Sequence, residues 1–372
     1  MLIKDEIHGT IEFNELEEKI IDSVSFQRLR RIKQMSVTNL VYPGANHSRF
    51  EHSIGTAHLS EIIARRVGLD DDQVKKIKLY GLLHDIGHTA FSHEGEDIVK
   101  KYIGDHEEIG KRKIVEHEIA DILSENFRPK EIAEIGNSIY GSIIESDIGA
   151  DRMDYLKRDA LNTGVAYGII DIDRIVHTVK MEKGKLYIEK GGLEAAENLL
   201  VARFTMFITV YLHRTVRIAT AMLYRAIEGA INDGTLAPER FVELDDESAM
   251  AELCKSEKGG KYANALLRRH LYKEVYSFQK KGWDQARAEK LEKFLSEKTN
   301  HDIIVDYPHQ FFKSVDFEVK TDDGMHSISD ISQIVQSLKK TEDYRMGVLV
   351  LAEDEVRKKS GNKIKELTQQ SG

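Results

Sequence analysis

Apolar residues recur at helical spacing through most of this chain. The pattern predicts helices over residues 15–35, 49–67, 71–84, 117–125 and 148–158. Alternation takes over at 175–181 and 186–189, with Lys183-Gly184 between them as the turn of a hairpin. From Leu193 to about Ile231 proline is absent and glycine occurs only at Gly229, so one or two long helices belong there. His213, Arg214 and Arg217 inside that run exclude a simple membrane span. Past Thr299 the texture shifts to short strand-like runs at 302–307, 317–320 and 346–351, with a helical stretch at 328–339. The fold class is mainly α. A helical core over 1–235 carries a small β-hairpin, a helical extension covers 236–298, and a smaller C-terminal α+β domain covers 299–372. The last dozen residues are polar and read as frayed.

Composition agrees with that picture and removes several functions. With 372 residues, 41% hydrophobic and 31% charged, the chain can bury a large core and a smaller appended unit. No stretch approaches 18 uncharged apolar residues and the amino terminus does not read as a signal peptide, so a cytoplasmic protein with no membrane partner is expected. The single cysteine, Cys254, cannot form an internal disulfide and fits a reducing compartment. A net charge of −9 argues against generic nucleic-acid binding, while leaving room for a local cationic pocket.

The chemistry concentrates behind the apolar run that ends in Leu82-Leu83. His84, Asp85, His88 and His93 fall within ten residues, with His84 and His88 four apart on one predicted helix face. One histidine on an apolar face is more often a packed core residue than a ligand. Several titratable groups buried together cost several kcal/mol unless a metal or polyanion meets them. Imidazole with carboxylate suits a hard-to-borderline divalent cation. RFEH at 49–52 and DRMDYLKRD at 151–159 supply a fourth ligand and a polar wall. Asp151, Asp154, Tyr155, Arg158 and Asp159 make one polar helix face, on which Asp154 and Arg158 read equally well as solvated charges.

In their order and spacing, His52, His84-Asp85 and Asp151 resemble the H…HD…D pattern of the HD-domain metal-dependent phosphohydrolases. DEIHGTIE at 5–12, FQRLRRIKQ at 26–34, YPGANHSRFEHS at 42–53 and DRMDY at 151–155 are similar to one branch. That branch is the deoxynucleoside triphosphate triphosphohydrolases, which include the dGTPases and the SAM-and-HD-domain enzymes. The resemblance implies an HD-domain helical core and a divalent metal (Mn, Mg, Fe, Ni or Zn) on His52, His84, Asp85 and Asp151. It implies hydrolysis of (deoxy)nucleoside triphosphates to nucleoside and inorganic triphosphate. His93 is implied as general acid toward the 5′ oxygen, with Glu96 and His117 as orienting partners and His88 as a phosphate contact. The family usually has Asp at the position of Glu96. Arg49 and Arg152 are implied at phosphate, Tyr155 at the sugar, Gln34 and Asp159 at the 3′ hydroxyl, and Met35 as apolar crowding against a 2′ hydroxyl. Thr209 and Arg217 depart from the branch, which carries an arginine and a tyrosine there.

Asp22, Gln27 and Arg30 are similar to a guanine-binding effector pocket of that branch. A carboxylate accepts from the guanine N1–H and amine, and an arginine fork suits O6 and N7. Such a pocket implies GTP or dGTP as effector and a homodimer or homotetramer. Two other readings stay open: hydrolysis of cyclic dinucleotides or nucleoside monophosphates by related HD chemistry, and a non-enzymatic nucleotide sensor.

Overall fold

The computed structural model describes residues 1–308, 317–345 and 347–371. Its organising unit is a set of three helices, Arg49–Arg66, Asp71–Leu83 and Ala150–Thr163. The first two start on capping boxes, Ser48 with Glu51 and Asp70 with Gln73, which satisfy the amide groups a helix start leaves over. They touch closely at Gly81, where a Cβ would lie 2.6 Å from Ser60 Oγ and 3.3 Å from Ala57 Cα. The third crosses the first at Gly55, where a Cβ would overlap the Asp154 carboxylate. Ile54, Leu83, Met153 and Leu156 fill the space between them and are buried.

The mainly α class holds, and the departures from the sequence pattern have local causes. The expected helix over 15–35 breaks at Ser23, which turns extended and caps the short Val24–Gln27 helix with its hydroxyl. The expected strand from 175 is helical instead, because Asp171 caps a helix over Ile172–Thr178. The long run after Leu193 is two helices, Leu193–Met206 and Arg214–Asn232, with a π turn over Phe207–Tyr211 between them. Among the described residues no single helix is long and apolar enough to cross a membrane. Among the helices that escaped the sequence pattern, the two long ones are Ser92–Ile103 and His106–Val115, beside the short Pro129–Ala133 and Ser142–Glu145. The expected fraying at the end is also wrong: residues Asp354–Ser371 form a helix, because Ile364 packs into the core of the C-terminal unit.

Among the described residues three sheets complete the fold. β1 (Leu2–Asp5) and β2 (Gly9–Glu12) form an antiparallel hairpin. β3 (Val179–Glu182) and β4 (Lys185–Glu189) form the hairpin expected at Lys183-Gly184, both in left-handed conformation. β5 (Lys273–Gln279) and β6 (Ile303–Asp306) flank β9 (Gly347–Ala352), both antiparallel to it. Met346, expected to open that last strand, lies outside the described residues. β7 (Glu318–Thr321) adds parallel to β4, and β8 (Gly324–Ser327) follows it, extending the second hairpin to the order β3-β4-β7-β8. A boundary at 299 therefore does not separate two bodies. β5 precedes that boundary yet pairs with β9, and β7 follows it yet pairs with β4.

This interleaving predicts coupled unfolding. Ile188 is fully buried and pairs with Val179 on one side and Val319 on the other. Ile188→Ala should cost about 2 to 5 kcal/mol. Trp283, the only tryptophan, reports on the C-terminal unit. Urea unfolding followed by its fluorescence and by far-UV circular dichroism should give coincident midpoints, both lowered by the substitution. A Trp283 midpoint that stays in place would mean that the C-terminal unit unfolds on its own.

Candidate functional site

His52, His84 and Asp85 offer ligand atoms that all lie within 4.8 Å of one another. Asp151 borders them, its Oδ1 at 3.0 Å from His52 Nε2 and 3.9 Å from His84 Nε2. The helix carrying the HD pair stops at Leu83, so His84 to His88 form a turn rather than one helix face. Gly87 permits that turn by passing against the backbone of His106 and Gly110, where a Cβ would collide. His84 Nδ1 is hydrogen-bonded to the Gly81 carbonyl at 2.8 Å, which makes Nδ1 the donor and leaves the Nε2 lone pair on the site. That Nε2 is buried with no hydrogen-bond partner among the described residues. A buried imidazole lone pair aimed at two carboxylates is what a cation ligand requires, so the residues fit a divalent metal.

Behind the ligands lies a buried charge network. Asp154, fully buried, receives His52 Nδ1 at 2.8 Å, His8 Nε2 at 2.8 Å, and two nitrogens of Arg158 at 2.8 and 3.0 Å. Arg158 continues to Asp5 at 2.9 Å. Burial pushes Asp154 up, yet Arg158, His52 and His8 together hold it well below the usual carboxylate range. Burial also opposes charge on His52, but hydrogen bonds with Asp151 and Asp154 carry it up to about 10. The same carboxylates that draw a proton to this imidazole draw a cation to its other face. Asp154 and Arg158 are thus buried members of the site rather than solvated charges. The sequence signal was present: both lie on the Asp151 and Tyr155 face.

The second cluster joins His88, His93, Glu96 and His106. Glu96 Oε2 stands 2.8 Å from His106 Nδ1 and 3.3 Å from His93 Nδ1. Burial raises Glu96, but the hydrogen bonds from His106 and His93 dominate and hold it well below the usual range. His88 is fully buried, stacked on His106 at 4.1 Å, with Nε2 3.2 Å from Asp85. His117 does not join: its side chain is 90% exposed and its ion-pair partner is Glu116. His106 occupies the partner role expected of it. The missed signal was the Gly104-Asp105 helix start, where Gly104 takes a left-handed turn and Asp105 caps the helix opening with His106.

Arg49 reaches Asp85 at 2.7 Å and Ser92 Oγ at 2.9 Å. Tyr155 packs edge-on toward His52, with ring centroids 6.4 Å apart. Asp159 is engaged by His47 at 2.7 Å and by the Tyr211 hydroxyl at 2.6 Å, two residues that sequence reasoning passed over. The Gln34 side-chain oxygen is buried without a hydrogen-bond partner among the described residues, and Met35 is buried beside it in the chain. Arg152 pairs with Asp147, which Arg203 also contacts at 2.7 Å. Arg217 pairs with Asp306 at 2.6 Å, and the Thr209 carbonyl accepts from Tyr42. Of Asp22, Gln27 and Arg30, the structure joins Gln27 to Arg30, and the Gln27 amide also donates to the Ile21 carbonyl at 2.7 Å. Asp22 lines an open groove of about 450 Å³ with Glu15, Glu18 and Glu118, while Arg30 bonds Gln27 and lies over Phe50. Among the described residues Lys19 lines the same groove, the one cation among its four carboxylates.

The Asp154 network predicts a metal phenotype. Asp154→Asn keeps the shape but removes the charge that orients His52, and such partners typically contribute 10- to 100-fold in metal affinity. Calorimetric titration of the metal-stripped variant should show roughly that weakening, and unchanged affinity would remove Asp154 from the site.

Comparison with known proteins agrees with this geometry. Residues 49–159 match the HD domain and residues 170–369 the HD-associated region. An uncharacterised protein of Methanocaldococcus jannaschii is 37% identical over 98% of this chain, which spans 80% of that protein. The deoxynucleoside triphosphate triphosphohydrolase SAMHD1 homologue of Dictyostelium discoideum is 28% identical over 74% of this chain, which spans 60% of it. The crystal structure of a hypothetical protein from Aquifex aeolicus, 28% identical, superimposes with a TM-score of 0.83 over 98% of this chain and 99% of that one. The metal-type His/Asp group, the adjoining imidazole cluster and these matches lead to one conclusion: the chain belongs to the HD-domain phosphohydrolase family, in the form that carries the HD-associated region.

Proposed function

We propose that the protein hydrolyses (deoxy)nucleoside triphosphates to nucleoside and inorganic triphosphate. The observation that carries this reading is the His93–Glu96–His106 cluster beside the metal-type group. A metal site alone needs no such relay, whereas a poor alkoxide leaving group needs a proton. Cleavage between the α-phosphorus and the 5′ oxygen creates that alkoxide. The kinship with the Dictyostelium protein supports the same substrate class.

A divalent cation on His52, His84, Asp85 and Asp151 would lower the pKa of a water and neutralise charge on the α-phosphate. Water oxygen joins phosphorus and releases a proton to solvent, the bond to the 5′ oxygen breaks, and the nucleoside leaves with a proton from His93, which solvent then restores. Glu96 accepts from His93 Nδ1, so the other ring nitrogen is the one turned to the leaving group. His106 holds Glu96 ionised and in place. Arg49 supplies a planar donor to phosphate oxygens. Asp159, aligned by His47 and Tyr211, offers an acceptor oxygen to a sugar hydroxyl, with Gln34 as a second polar partner and Tyr155 as the ring beneath the sugar.

Incubating metal-loaded protein with each dNTP and NTP and separating the products by anion exchange tests the reading. Triphosphate with nucleoside is expected, while pyrophosphate, monophosphate or no turnover contradicts it. His93→Ala should retain metal and lose about 10²- to 10⁴-fold in rate. His106→Ala should also slow turnover, and His117→Ala should leave it unchanged. A slow His117→Ala beside a fast His106→Ala would reverse the assignment of the orienting partner.

A further inference from the structure

Asp246 opens the Asp246–Leu253 helix in the HD-associated region. It is 4% exposed. Its Oδ1 accepts the Phe91 amide at 2.8 Å and its Oδ2 accepts the Lys33 amide at 3.0 Å. Phe91 is two residues before His93, and Lys33 is one residue before Gln34.

The Phe91 end of this bridge is under strain. Phe91 and Ser92 have φ of 62° and 56°, a left-handed conformation that non-glycine residues keep only when the surroundings hold them. The surroundings hold them from three sides. Asp246 takes the Phe91 amide, Ser92 Oγ donates to the Lys33 carbonyl at 2.7 Å, and Arg28 clamps the carbonyls of His88 and Leu244 together at 2.5 and 2.9 Å. Of these groups only Asp246 satisfies amide donors on both segments at once. Without it two backbone N–H groups would be left in the interior without an acceptor.

We propose that Asp246 is a positioning residue: through its two carboxylate oxygens it fixes the strained turn that presents His93 against the Lys33–Gln34 segment. The inference rests on the reading of His93 as the acid. It also gives the HD-associated region a part in catalysis, since the carboxylate that sets the acid turn comes from that region.

Asp246→Asn keeps the shape but replaces one acceptor oxygen with an amide that faces a backbone N–H. The turn should relax and His93 should move off line, and a displacement of about 1 Å can cost about 10²-fold. We expect kcat for dNTP hydrolysis to fall about 10- to 100-fold, with metal content and circular dichroism unchanged. Turnover of p-nitrophenyl triphosphate should be largely retained, because p-nitrophenolate leaves without a proton. Equal losses on both substrates would mean a merely structural role and overturn the proposal, as would no loss on either. If the asparagine variant does not fold, Asp246→Glu, which keeps both acceptor oxygens but displaces them by one methylene, is compared on the two substrates with the same outcomes. A wild type that releases no triphosphate refutes the proposed reaction and this inference with it. A wild type that does, beside an equally fast Asp246→Asn, refutes this inference alone.

Discussion

A carboxylate buried away from water must be met by positive charge and hydrogen bonds, and Asp154 is where this protein meets that constraint. Its partners come from separate parts of the chain. His8 follows strand β1, His52 sits in the Arg49–Arg66 helix, and Arg158 lies one turn along its own helix and reaches back to Asp5. Satisfying Asp154 therefore docks the amino-terminal hairpin onto two core helices. It also turns His52 so that its other nitrogen, Nε2, faces Asp151 at 3.0 Å and Asp85 at 3.7 Å. Gly55 is the concession the network extracts from the fold, since any larger residue would displace the carboxylate.

From that point the site divides into two neighbouring clusters with different tasks. The group around His52 gathers anionic oxygen and imidazole nitrogen where a cation can sit. The group around Glu96 gathers imidazoles on one ionised carboxylate, an arrangement suited to holding and releasing a proton. Asp85 connects them, lying within 3.4 Å of His84 and 3.2 Å of His88. His93 is the exposed member of the second cluster, 61% open, and it borders a small cavity also lined by Tyr211 and Arg217. An imidazole at the rim and a metal-type group in the interior is the division that the proposed reaction, attack at phosphorus and departure of an alkoxide, requires.

The helical class, the hairpin at Lys183-Gly184 and the convergence of His52, His84, Asp85 and Asp151 were legible because each depends on local pattern or on a motif whose residues recur in order. What escaped depends on contacts distant in sequence. His106 and His117 look alike in the chain, both opening acidic helices, and only packing against His88 tells them apart. Asp154 and Arg158 read equally well as solvated charges until the Gly55 crossing closes over them. Tyr211 falls in an apolar run where no pattern marks a tyrosine as a partner for Asp159. The domain boundary at 299 failed for a related reason: β4 and β7 pair across more than a hundred residues, and composition carries no trace of that pairing.

The central claim is that water attacks the α-phosphorus and the nucleoside leaves through its 5′ oxygen. Hydrolysis of a dNTP in ¹⁸O-enriched water, with the products analysed by mass spectrometry, tests it directly. The account predicts one ¹⁸O atom in the released triphosphate and none in the nucleoside. Label in pyrophosphate, in a nucleoside monophosphate or in the nucleoside itself would contradict it.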